Sequence, residues 1–391
     1  MKSKTKQQVL IGVIGALLLL SFIGAFSTLF QQAQVSRDTS DDRPEAVIIF
    51  GDLKTSGYWE LTEVISIDDN AEGVGAQNWT WAVGQDWASG AGTSEDPYLI
   101  ENVSITVDDA NPGLTIANTS AYFKINNVTI TNANAEGHGL YIIDSGNGTI
   151  INSDFLSNGA TGLYLDNVVS TTITSVNSSL NTQGLYMANC TSNVITSSYF
   201  SNNTGDGINV IDSDLNNFTI EASGNGGDGM NLVDSDNCTI IDSQFISNTE
   251  TGLSLYEDDG DTLDNTIYDN YFEDNALNAE DNSTEANNWD NGVDTGNEWD
   301  DYSGVDANDD GVGDTAYSIS GTAGAEDAYP IFSDGTDVII SLGGGDDDDD
   351  DDGGKKLSVE QVAGQSFVMF TAGLLIVLFY AKRYVAKKLG M

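Results

Sequence analysis

Hydrophobic and polar residues alternate in short stretches that return at a nearly constant interval along the middle of the chain. Each stretch begins with a glycine, continues with an apolar residue, a polar residue or tyrosine, and a second apolar residue, and the starts lie 22 or 23 residues apart. Alternation with a period of two is typical of a β-strand with one buried face. A fixed period of this length is typical of a solenoid. The six starts are Gly139, Gly162, Gly184, Gly207, Gly229 and Gly252.

Further positions recur within the repeat. An apolar residue comes eleven residues after the glycine, as at Ile150 and Ile173, and predicts a second short strand. An aromatic residue follows at position sixteen in three repeats, and an asparagine follows at position nineteen in four. We expect each asparagine to stack on its copy in the next turn. These asparagines are Asn158, Asn181, Asn203 and Asn248.

The repeat predicts an all-β fold, a right-handed parallel β-helix with three sides and about 22–23 residues per turn. Successive turns are expected about 4.8 Å apart, so equivalent residues form rows along the axis. Cys190 and Cys238 then lie roughly 10 Å apart or more, too far for a disulfide, and we expect both to be buried. Four additional residues between Tyr256 and Thr266 predict a loop at one corner of the last turn.

Two apolar runs frame the solenoid. The first, Val9 to Phe30, has the length of a transmembrane helix and follows three lysines, which predicts an anchor, with a cleaved signal peptide as the alternative. The second, Ser366 to Tyr380, precedes Lys382 and Arg383, which predicts a further anchor with a cytoplasmic C-terminus and an extracellular ectodomain. The predicted segments are 1–33 (anchor or signal), 34–95 (linker and N-terminal cap), 96–285 (β-helix), 286–342 (C-terminal cap with an Asp-rich loop), 343–358 (acidic Gly/Asp spacer) and 359–391 (C-terminal anchor with a basic tail).

Acidic residues dominate the composition and restrict the partners. The chain has 61 Asp and Glu against 13 Lys and Arg, a net charge of -48, and Lys124 is the only lysine or arginine between Gly57 and Gly354. Nucleic acid and anionic polysaccharide are therefore poor partners of this region, because phosphate binding requires Lys and Arg. Neutral glycans, divalent cations and cell-envelope proteins fit better. Acidity also keeps a protein soluble in concentrated salt, an alternative that involves no binding role.

A row of tyrosines is the first candidate binding site. Tyr141, Tyr164 and Tyr186 occupy the outward position of the same strand in three successive turns. Aromatic side chains next to each other across strands stabilise a sheet, which is one explanation of the row. Neutral sugars also stack on such faces. The row therefore predicts either sheet pairing or a surface for a neutral glycan or another partner.

An Asp-rich segment after the last turn is the candidate metal site. Its oxygen ligands fall on alternate residues around Gly311, which matches the first half of a calcium-binding loop. Position twelve of the loop is Tyr317 instead of glutamate, so Asp300 or Asp301 would have to supply the last carboxylate. We expect calcium to stabilise this end of the solenoid. The candidate ligands are Asp306, Asn308, Asp310 and Asp314.

Catalysis is the alternative function. Clustered aspartates hydrolyse glycosidic bonds when one carboxyl protonates the leaving oxygen and another activates water. Lyase chemistry needs a basic residue and is nearly excluded, since Lys124 is the only one in the solenoid apart from His138. A row after the repeat glycines offers the carboxylates, although the same positions also serve as solvated corners. Its members are Asp144, Asp166, Asp212 and Asp234.

Several segments resemble a known family. They are Asp96 to Val103 at the start of the solenoid, and Asn297 to Tyr302, Asp306 to Asp314 and Asp327 to Ile331 at its end. With the repeat, they resemble archaeal surface proteins of the NosD-type β-helix family, which implies a right-handed β-helix of the carbohydrate-binding and sugar-hydrolase type. In bacteria the family's namesake assists copper loading of nitrous oxide reductase. This sequence does not match that copper-handling role, because its single His138 and scattered Met187 and Met230 offer no copper cluster.

Taken together, the sequence predicts a membrane-anchored surface protein whose β-helix recognises glycans or other surface partners without catalysis. A glycoside hydrolase and a structural or NosD-like accessory protein of the envelope remain the alternatives. Eleven N-x-S/T sequences also predict glycosylation of an exported face.

Overall fold

The computed structural model describes residues 58–332, and these form a parallel β-helix with a small helix near its N-terminal end. The predicted membrane anchors and the acidic spacer lie outside the described residues. Within residues 58–332 no helix is long and apolar enough to cross a membrane. The predicted all-β solenoid is confirmed, and its right hand stays a prediction from the crossover rule.

Nine parallel strands form one side of the solenoid, which we call the front sheet. Each turn contributes one strand, and sequential strands are neighbours throughout. The strands are Ile65–Asp68, Leu114–Ala117, Leu140–Gly146, Thr161–Val169, Gln183–Ala188, Ile208–Ile211, Met230–Val233, Thr251–Tyr256 and Leu277–Asp281.

A fourteen-stranded back sheet forms the other two sides, because several of its strands continue around a corner. On the first side lie Trp59–Leu61, Tyr98–Val107, Phe123–Asn132, Gly148–Ile151, Thr172–Thr174, Val194–Tyr199, Asn217–Ser223, Thr239–Ile241 and Thr266–Tyr268. The additional strands are Ala88–Ser89, Asp154–Phe155, Gln244–Ile246, Tyr271–Glu273 and Glu298–Trp299. Outside both sheets are the helix Trp79–Ala82 and an antiparallel pair, Tyr317–Ser318 with Glu326–Asp327.

The front sheet starts at a glycine in each turn because consecutive turns approach closely there. A Cβ on Gly184 would lie 2.4 Å from the carbonyl oxygen of Gly207 and 2.8 Å from the Nδ2 of Asn203. Such contacts are far shorter than any side chain tolerates, so the repeat requires glycine at this position. The alternating residues that follow then fall into register from turn to turn, as Leu163 does with Leu140 and Leu185.

The interior contains ladders of asparagine side chains beside the apolar rows. The Oδ1 of Asn181 accepts a hydrogen bond from the backbone N of Asn158 at 2.8 Å, and the Oδ1 of Asn203 accepts one from the backbone N of Asn181 at 3.0 Å. The ladder continues through Asn225 and Asn248 with the same geometry. These side chains are at most 2 % exposed. The predicted asparagine stacking is therefore confirmed, and Asn225 joins it although it lies at position eighteen of its repeat.

All the ladders run in one direction and end on carboxylates. Each asparagine that donates to the next turn needs an acceptor there. The last asparagine of a ladder needs an acceptor that is not an amide, because a further amide would bring N–H groups that also need partners. The ladder through Asn270 and Asn297 ends on Asp327, whose Oδ2 accepts from the backbone N of Asn297 at 2.7 Å. Asn287, the last member of a second ladder, donates to Asp281. The third ladder ends where Asn278 donates to Asp300 and Asp301 at 2.7 and 3.0 Å.

Parallel pairing extends beyond the predicted limits of residues 96 and 285 at both ends. At the N-terminal end, two strands pair with strands of the following turn, Trp59–Leu61 and Ile65–Asp68. Ile65 and Ile67 alternate with polar residues, as the apolar residues of the later front-sheet strands do. Glu298–Trp299 pairs in parallel with Tyr271–Glu273. Sequence alone missed these turns because they lack the glycine signature.

Aromatic side chains close both ends. At the N-terminal end Trp79 is 1 % exposed and stacks on Tyr98 with 4.6 Å between ring centroids. At the other end Phe272, Trp299 and Tyr317 continue a column of rings with centroid separations of 4.4 and 4.2 Å.

The two cysteines lie free and buried inside the solenoid, as predicted. Burial raises the pKa of Cys190 to about 11 and that of Cys238 to about 12, so both remain thiols.

Candidate ligand-binding face

The outer face of the front sheet carries a continuous row of polar and aromatic side chains, one from each turn. We call it the front row. The strand register places its members directly next to each other. They are Ser66, Thr115, Tyr141, Tyr164, Tyr186, Asn209, Asn231, Ser254 and Glu280.

The tyrosine part of the front row is a contiguous aromatic surface. Tyr141 and Tyr164 meet edge to face at 4.9 Å, and Tyr164 and Tyr186 stack at 4.6 Å. His138, from the corner before the same strand, adds a ring 5.0 Å from Tyr164. All four side chains are partly exposed. The predicted row is therefore present, with a histidine that the sequence argument had considered only as a copper ligand.

This aromatic surface is uncharged at neutral pH. Burial and the neighbouring tyrosine hydroxyls raise the pKa of Tyr164 to about 12, and burial together with Asp166 and Asp144 raises that of Tyr141. Burial lowers the pKa of His138, whose Nδ1 accepts a hydrogen bond from the backbone N of Thr161 at 3.2 Å. The face thus offers neutral rings and hydroxyl groups to a ligand.

Beyond Tyr186 the front row becomes polar and then closes. Asn209 is partly exposed, whereas Asn231 and Ser254 are only 8 % and 7 % exposed. The buried Oδ1 of Asn209 accepts no hydrogen bond from any of residues 58–332. The open part of the row therefore runs from Tyr141 to Asn209, and Asn231 and Ser254 form its closed end.

Carboxylates line one edge of the closed end. Asp206 and Asp228 precede the glycines of two successive turns, and one Oδ1 of each accepts a backbone hydrogen bond from the next turn, at 3.0 Å from Asp228 and 2.6 Å from Thr251. Burial first, and then the nearby charges of Asp228 and Glu250, raise the pKa of Asp206. The two carboxylates therefore lie in adjacent turns in a partly desolvated corner, where the side chain of Asn231 also donates a hydrogen bond to Asp206.

The four-residue insertion forms the opposite edge. Its backbone is anchored because the N–H groups of Asp258 and Asp259 donate to Asp234 at 2.7 and 3.1 Å. Tyr256, at the base of this loop, is 38 % exposed. Burial and the charges of Asp258, Asp206, Asp228 and Asp234 raise its pKa, in that order, so its hydroxyl lies near both edges. The predicted corner loop is thus anchored on the preceding turn through Asp234.

The aspartates considered for hydrolysis hold the backbone and surface in place. Asp234 anchors the insertion loop, and Asp144 accepts a hydrogen bond from the Nδ2 of Asn167 at 2.6 Å. Asp144 and Asp212 have positive φ values of 48° and 49°, which suits the corner residues of tight turns.

The Asp-rich loop near the C-terminal end uses its predicted calcium ligands for its own backbone. Asp306 accepts from the backbone N of Gly311 at 2.7 Å, and Asp314 accepts from that of Ala307 at 2.9 Å. Asp310 accepts from the Nδ2 of Asn308 at 3.0 Å. Asp300 and Asp301, the proposed additional ligands, bind Asn278 instead.

Within residues 58–332 no group of three or more His, Cys, Asp or Glu side chains is arranged to hold a metal ion. Calcium binding at the Asp-rich loop therefore stays a prediction from the sequence, and the arrangement of these side chains does not by itself form such a site.

Comparisons with known proteins give one matching family model and several similar solved structures. The family model described as "Periplasmic copper-binding protein (NosD)" matches residues 97–304. The periplasmic alginate epimerase AlgG is similar at 15 % identity and a TM-score of 0.41, over 48 % of this chain and 50 % of that one. ORF18 of Geobacillus virus E2 shows 14 % identity and a TM-score of 0.37, over 56 % and 53 % of the two chains. The A-module of mannuronan C-5 epimerase AlgE4 from Azotobacter vinelandii shows 14 % identity and a TM-score of 0.32, over 51 % and 75 %.

The chain covers about half the length of AlgG, and these structural likenesses concern the fold alone. No curated protein matched.

The soft donor residues do not fit the copper that the family description implies. Met187 and Met230 are fully buried in the apolar core, and both cysteines are buried as protonated thiols. His138 is the single histidine, and one of its nitrogens is already hydrogen-bonded. Copper sites are built from converging imidazole, thiolate or thioether ligands. These residues are dispersed instead.

Proposed function

The chain belongs to the NosD family, and we propose that it is an exported surface protein whose front row binds a neutral glycan without chemical change. The observation that carries the proposal is the partly exposed aromatic surface formed by Tyr141, Tyr164 and Tyr186.

Spacing supports a linear glycan that lies along the solenoid axis. Adjacent turns of a parallel sheet are about 4.8 Å apart, so the three rings and Asn209 extend over roughly 15 Å, the length of a few sugar units. Sugars present C–H faces to aromatic rings and hydroxyl groups to amides. The front row supplies both in sequence, as an apolar platform with a small number of polar groups.

The hydrogen bonds that the carboxylates make favour binding without catalysis over hydrolysis. Asp144 and Asp234 hold Asn167 and the insertion loop, and none of the described residues near the tyrosine rings is a lysine or arginine. A hydrolase would need one carboxyl to donate a proton and another to activate water across the same glycosidic bond. Analysis of the glycan after binding therefore distinguishes hydrolysis from binding alone.

Glycan binding can be tested with a glycan array and with titration calorimetry on the full chain. We expect binding to be lost in Tyr164→Ser, because this residue touches both neighbouring rings. Tyr199→Ser is the matched control, since Tyr199 is 50 % exposed and lies on the back sheet. Equal affinity of the two variants, or cleavage of the bound glycan, would reject the proposal.

We also propose that the solenoid faces the outside of the cell, held by the predicted anchors. The family description is periplasmic, and the basic residues flank the apolar runs on the side that stays in the cytoplasm. Protease added to intact cells should remove the solenoid and spare the C-terminal tail. Protection of the solenoid would contradict this orientation.

A further inference from the structure

His138 occupies the position directly before a repeat glycine, and in three turns this position has the same structural task. Its side chain accepts a hydrogen bond from the backbone N of the equivalent residue one turn later. The Nδ1 of His138 accepts from Thr161 at 3.2 Å. Asp206 and Asp228 accept in the same way from Asp228 and Thr251, at 3.0 and 2.6 Å. The hydrogen bond of the histidine is therefore part of the way in which the turns are joined.

This hydrogen bond fixes which ring nitrogen of His138 carries the hydrogen. A neutral imidazole has one N–H and one bare nitrogen, and only the bare nitrogen accepts. Since Nδ1 accepts from Thr161, the hydrogen lies on Nε2. Nε2 donates to none of residues 58–332, and among them the Oδ1 of Asn209 is the one buried side-chain atom without a partner. The Nε2–H group is therefore open to solvent.

The free donor lies beside the tyrosine rings. The ring of His138 meets that of Tyr164 edge to face, at 5.0 Å and 70°, and lies 6.3 Å from that of Tyr141. Rings alone distinguish poorly among sugars, because most sugars present a C–H face. A few directed polar groups fix the orientation of a ligand in an apolar site. A sugar stacked on Tyr164 brings its hydroxyl groups to the edge where His138 lies.

From this geometry we propose that His138 determines the specificity of the tyrosine surface: its Nε2–H donates to a hydroxyl oxygen of a neutral sugar stacked on Tyr164, and protonation of Nδ1 releases that sugar. This inference rests on the proposed function and adds to it one directed contact and a dependence on pH. An imidazolium carries hydrogen on both nitrogens and accepts from neither side. The N–H groups of Nδ1 and Thr161 would then face each other, so the ring must leave its place beside Tyr164.

The surroundings of His138 keep it neutral at neutral pH. Burial is the main cause of its lowered pKa, and no neighbouring charge contributes to the shift. In the next turn, residues 155–161 contain no charged side chain. The titratable groups on the elements packed against the histidine are two tyrosines and three carboxylates. They are Tyr141, Tyr164, Asp108, Asp109 and Glu136.

Titration calorimetry on the full chain tests the inference with three neutral hexasaccharides, of β-1,4-linked glucose, mannose and N-acetylglucosamine. The pH dependence is measured with the one that binds most tightly. Between about pH 7.5 and about pH 4.5, on either side of the ordinary histidine pKa, we expect the affinity to fall about tenfold, as for the loss of one hydrogen bond.

Three variants separate His138 from other groups that titrate in acid. His138→Gln keeps an acceptor and a donor but does not titrate, and Gln183 already occupies the equivalent position two turns later, so its affinity should not depend on pH. His138→Phe keeps a ring without the donor and should bind roughly three- to tenfold more weakly at neutral pH. Asp154→Asn is the control, because burial also raises the pKa of that back-sheet carboxyl, and it should keep the wild-type pH profile.

Nuclear magnetic resonance reads the same group directly, because isotope-labelled histidine gives a single pair of ring-nitrogen signals in this chain. The signals should show the hydrogen on Nε2 at neutral pH. They should titrate in the unliganded chain with the midpoint at which the affinity falls. Binding and protonation are linked, so saturating hexasaccharide should lower the pKa of His138.

The outcomes distinguish this inference from the proposed function. If no hexasaccharide and no array glycan binds, both are rejected. If Tyr164→Ser abolishes binding while the wild type binds equally at both pH values, the glycan-binding face stands and the role of His138 is wrong. The role is also overturned if His138→Gln loses affinity in acid as the wild type does, if His138→Phe binds like the wild type, or if the hydrogen lies on Nδ1.

Discussion

The asparagine ladder inside the solenoid and the front row outside it are built in the same way, from one residue per turn placed next to its copy. Inside, Asn181, Asn203 and Asn225 use their side-chain oxygens to accept from the preceding turn, and the ladders end on carboxylates that leave no donor unpaired. Outside, Asn209 keeps a buried oxygen without a partner, and neutral rings face solvent.

Folding explains why the asparagines repeat inside the solenoid, but it does not explain why the tyrosines repeat on the outer face. A buried amide must be paired, so the interior ladder follows from the cost of burying polar groups. The tyrosines of the front row have no such requirement, because a partly exposed position tolerates many side chains. Stacked tyrosines followed by an unsatisfied amide therefore indicate a surface shaped for a ligand.

The largest effect is expected inside the solenoid. Asn203→Leu removes the acceptor of the Asn181 backbone N–H and the donors to Asn225 and to the Ser178 carbonyl, at 3.0, 3.1 and 3.3 Å. Each buried group left unpaired costs about 1–3 kcal/mol, so we expect the free energy of unfolding to fall by about 3–6 kcal/mol. Urea denaturation measures this loss. Asn217→Leu on the exposed side of the back sheet is the control and should change stability by less than about 0.5 kcal/mol. Similar losses in both variants would remove the distinction between the two kinds of position.

The carboxylate at the end of a ladder predicts a pH dependence. Burial raises the pKa of Asp327 to about 6 in the folded protein, above its ordinary 3.8. A raised pKa stabilises the folded state below about pH 4, and this contribution is lost as the pH rises through about 6, up to about 3 kcal/mol. Unfolding free energies of the wild type and Asp327→Asn should therefore diverge between these limits, with the wild type losing more stability on the way to pH 7. A constant difference between the two proteins would show that Asp327 does not titrate there.

Calcium tests the Asp-rich loop outside the ladders. If Asp306 and Asp310 exchange their backbone hydrogen bonds for a cation that binds only the folded form, the protein gains about 2.7 kcal/mol at a hundred times the dissociation constant. The melting temperature should rise with calcium more than with magnesium and fall with chelator. Asp306→Ala combined with Asp310→Ala should abolish this response. An unchanged melting temperature at millimolar calcium would show that the loop is only an acidic turn.

The smallest effect on stability is expected on the front row. Tyr164→Ser removes two ring contacts on a partly exposed face, which are worth about 0.5–1.5 kcal/mol in such pairs. Thermal melting should show a modest shift. A loss as large as that of Asn203→Leu would favour sheet pairing as the reason for the tyrosines.

The sequence predicted those parts of the fold that repeat. Position nineteen of the unit identified the ladder at Asn158 and Asn181, and the outward alternation identified the tyrosines. It missed Asn225 because that asparagine lies at position eighteen of its repeat. It also missed Asp281 and Asp327, because an acceptor at the end of a ladder is recognised only when the direction of the donors is known.

The closed end of the front row was also beyond the sequence. Asp206 and Asn209 are only three residues apart, Tyr256 lies two turns further along, and no motif connects them. The insertion loop after Tyr256 folds back onto Asp234. The repeat predicted a loop at that corner but not the direction in which it leans.

The most direct measurement is the affinity of the full chain for a glycan that the array identifies, compared between Tyr164→Ser and Tyr199→Ser by titration calorimetry. If the front row is a binding surface, Tyr164→Ser loses at least tenfold in affinity while its melting temperature shifts only modestly, and Tyr199→Ser binds like the wild type. If Tyr164→Ser binds as tightly as the wild type, or if its affinity falls only together with its fold, the tyrosines serve the sheet and the front row is not the binding site.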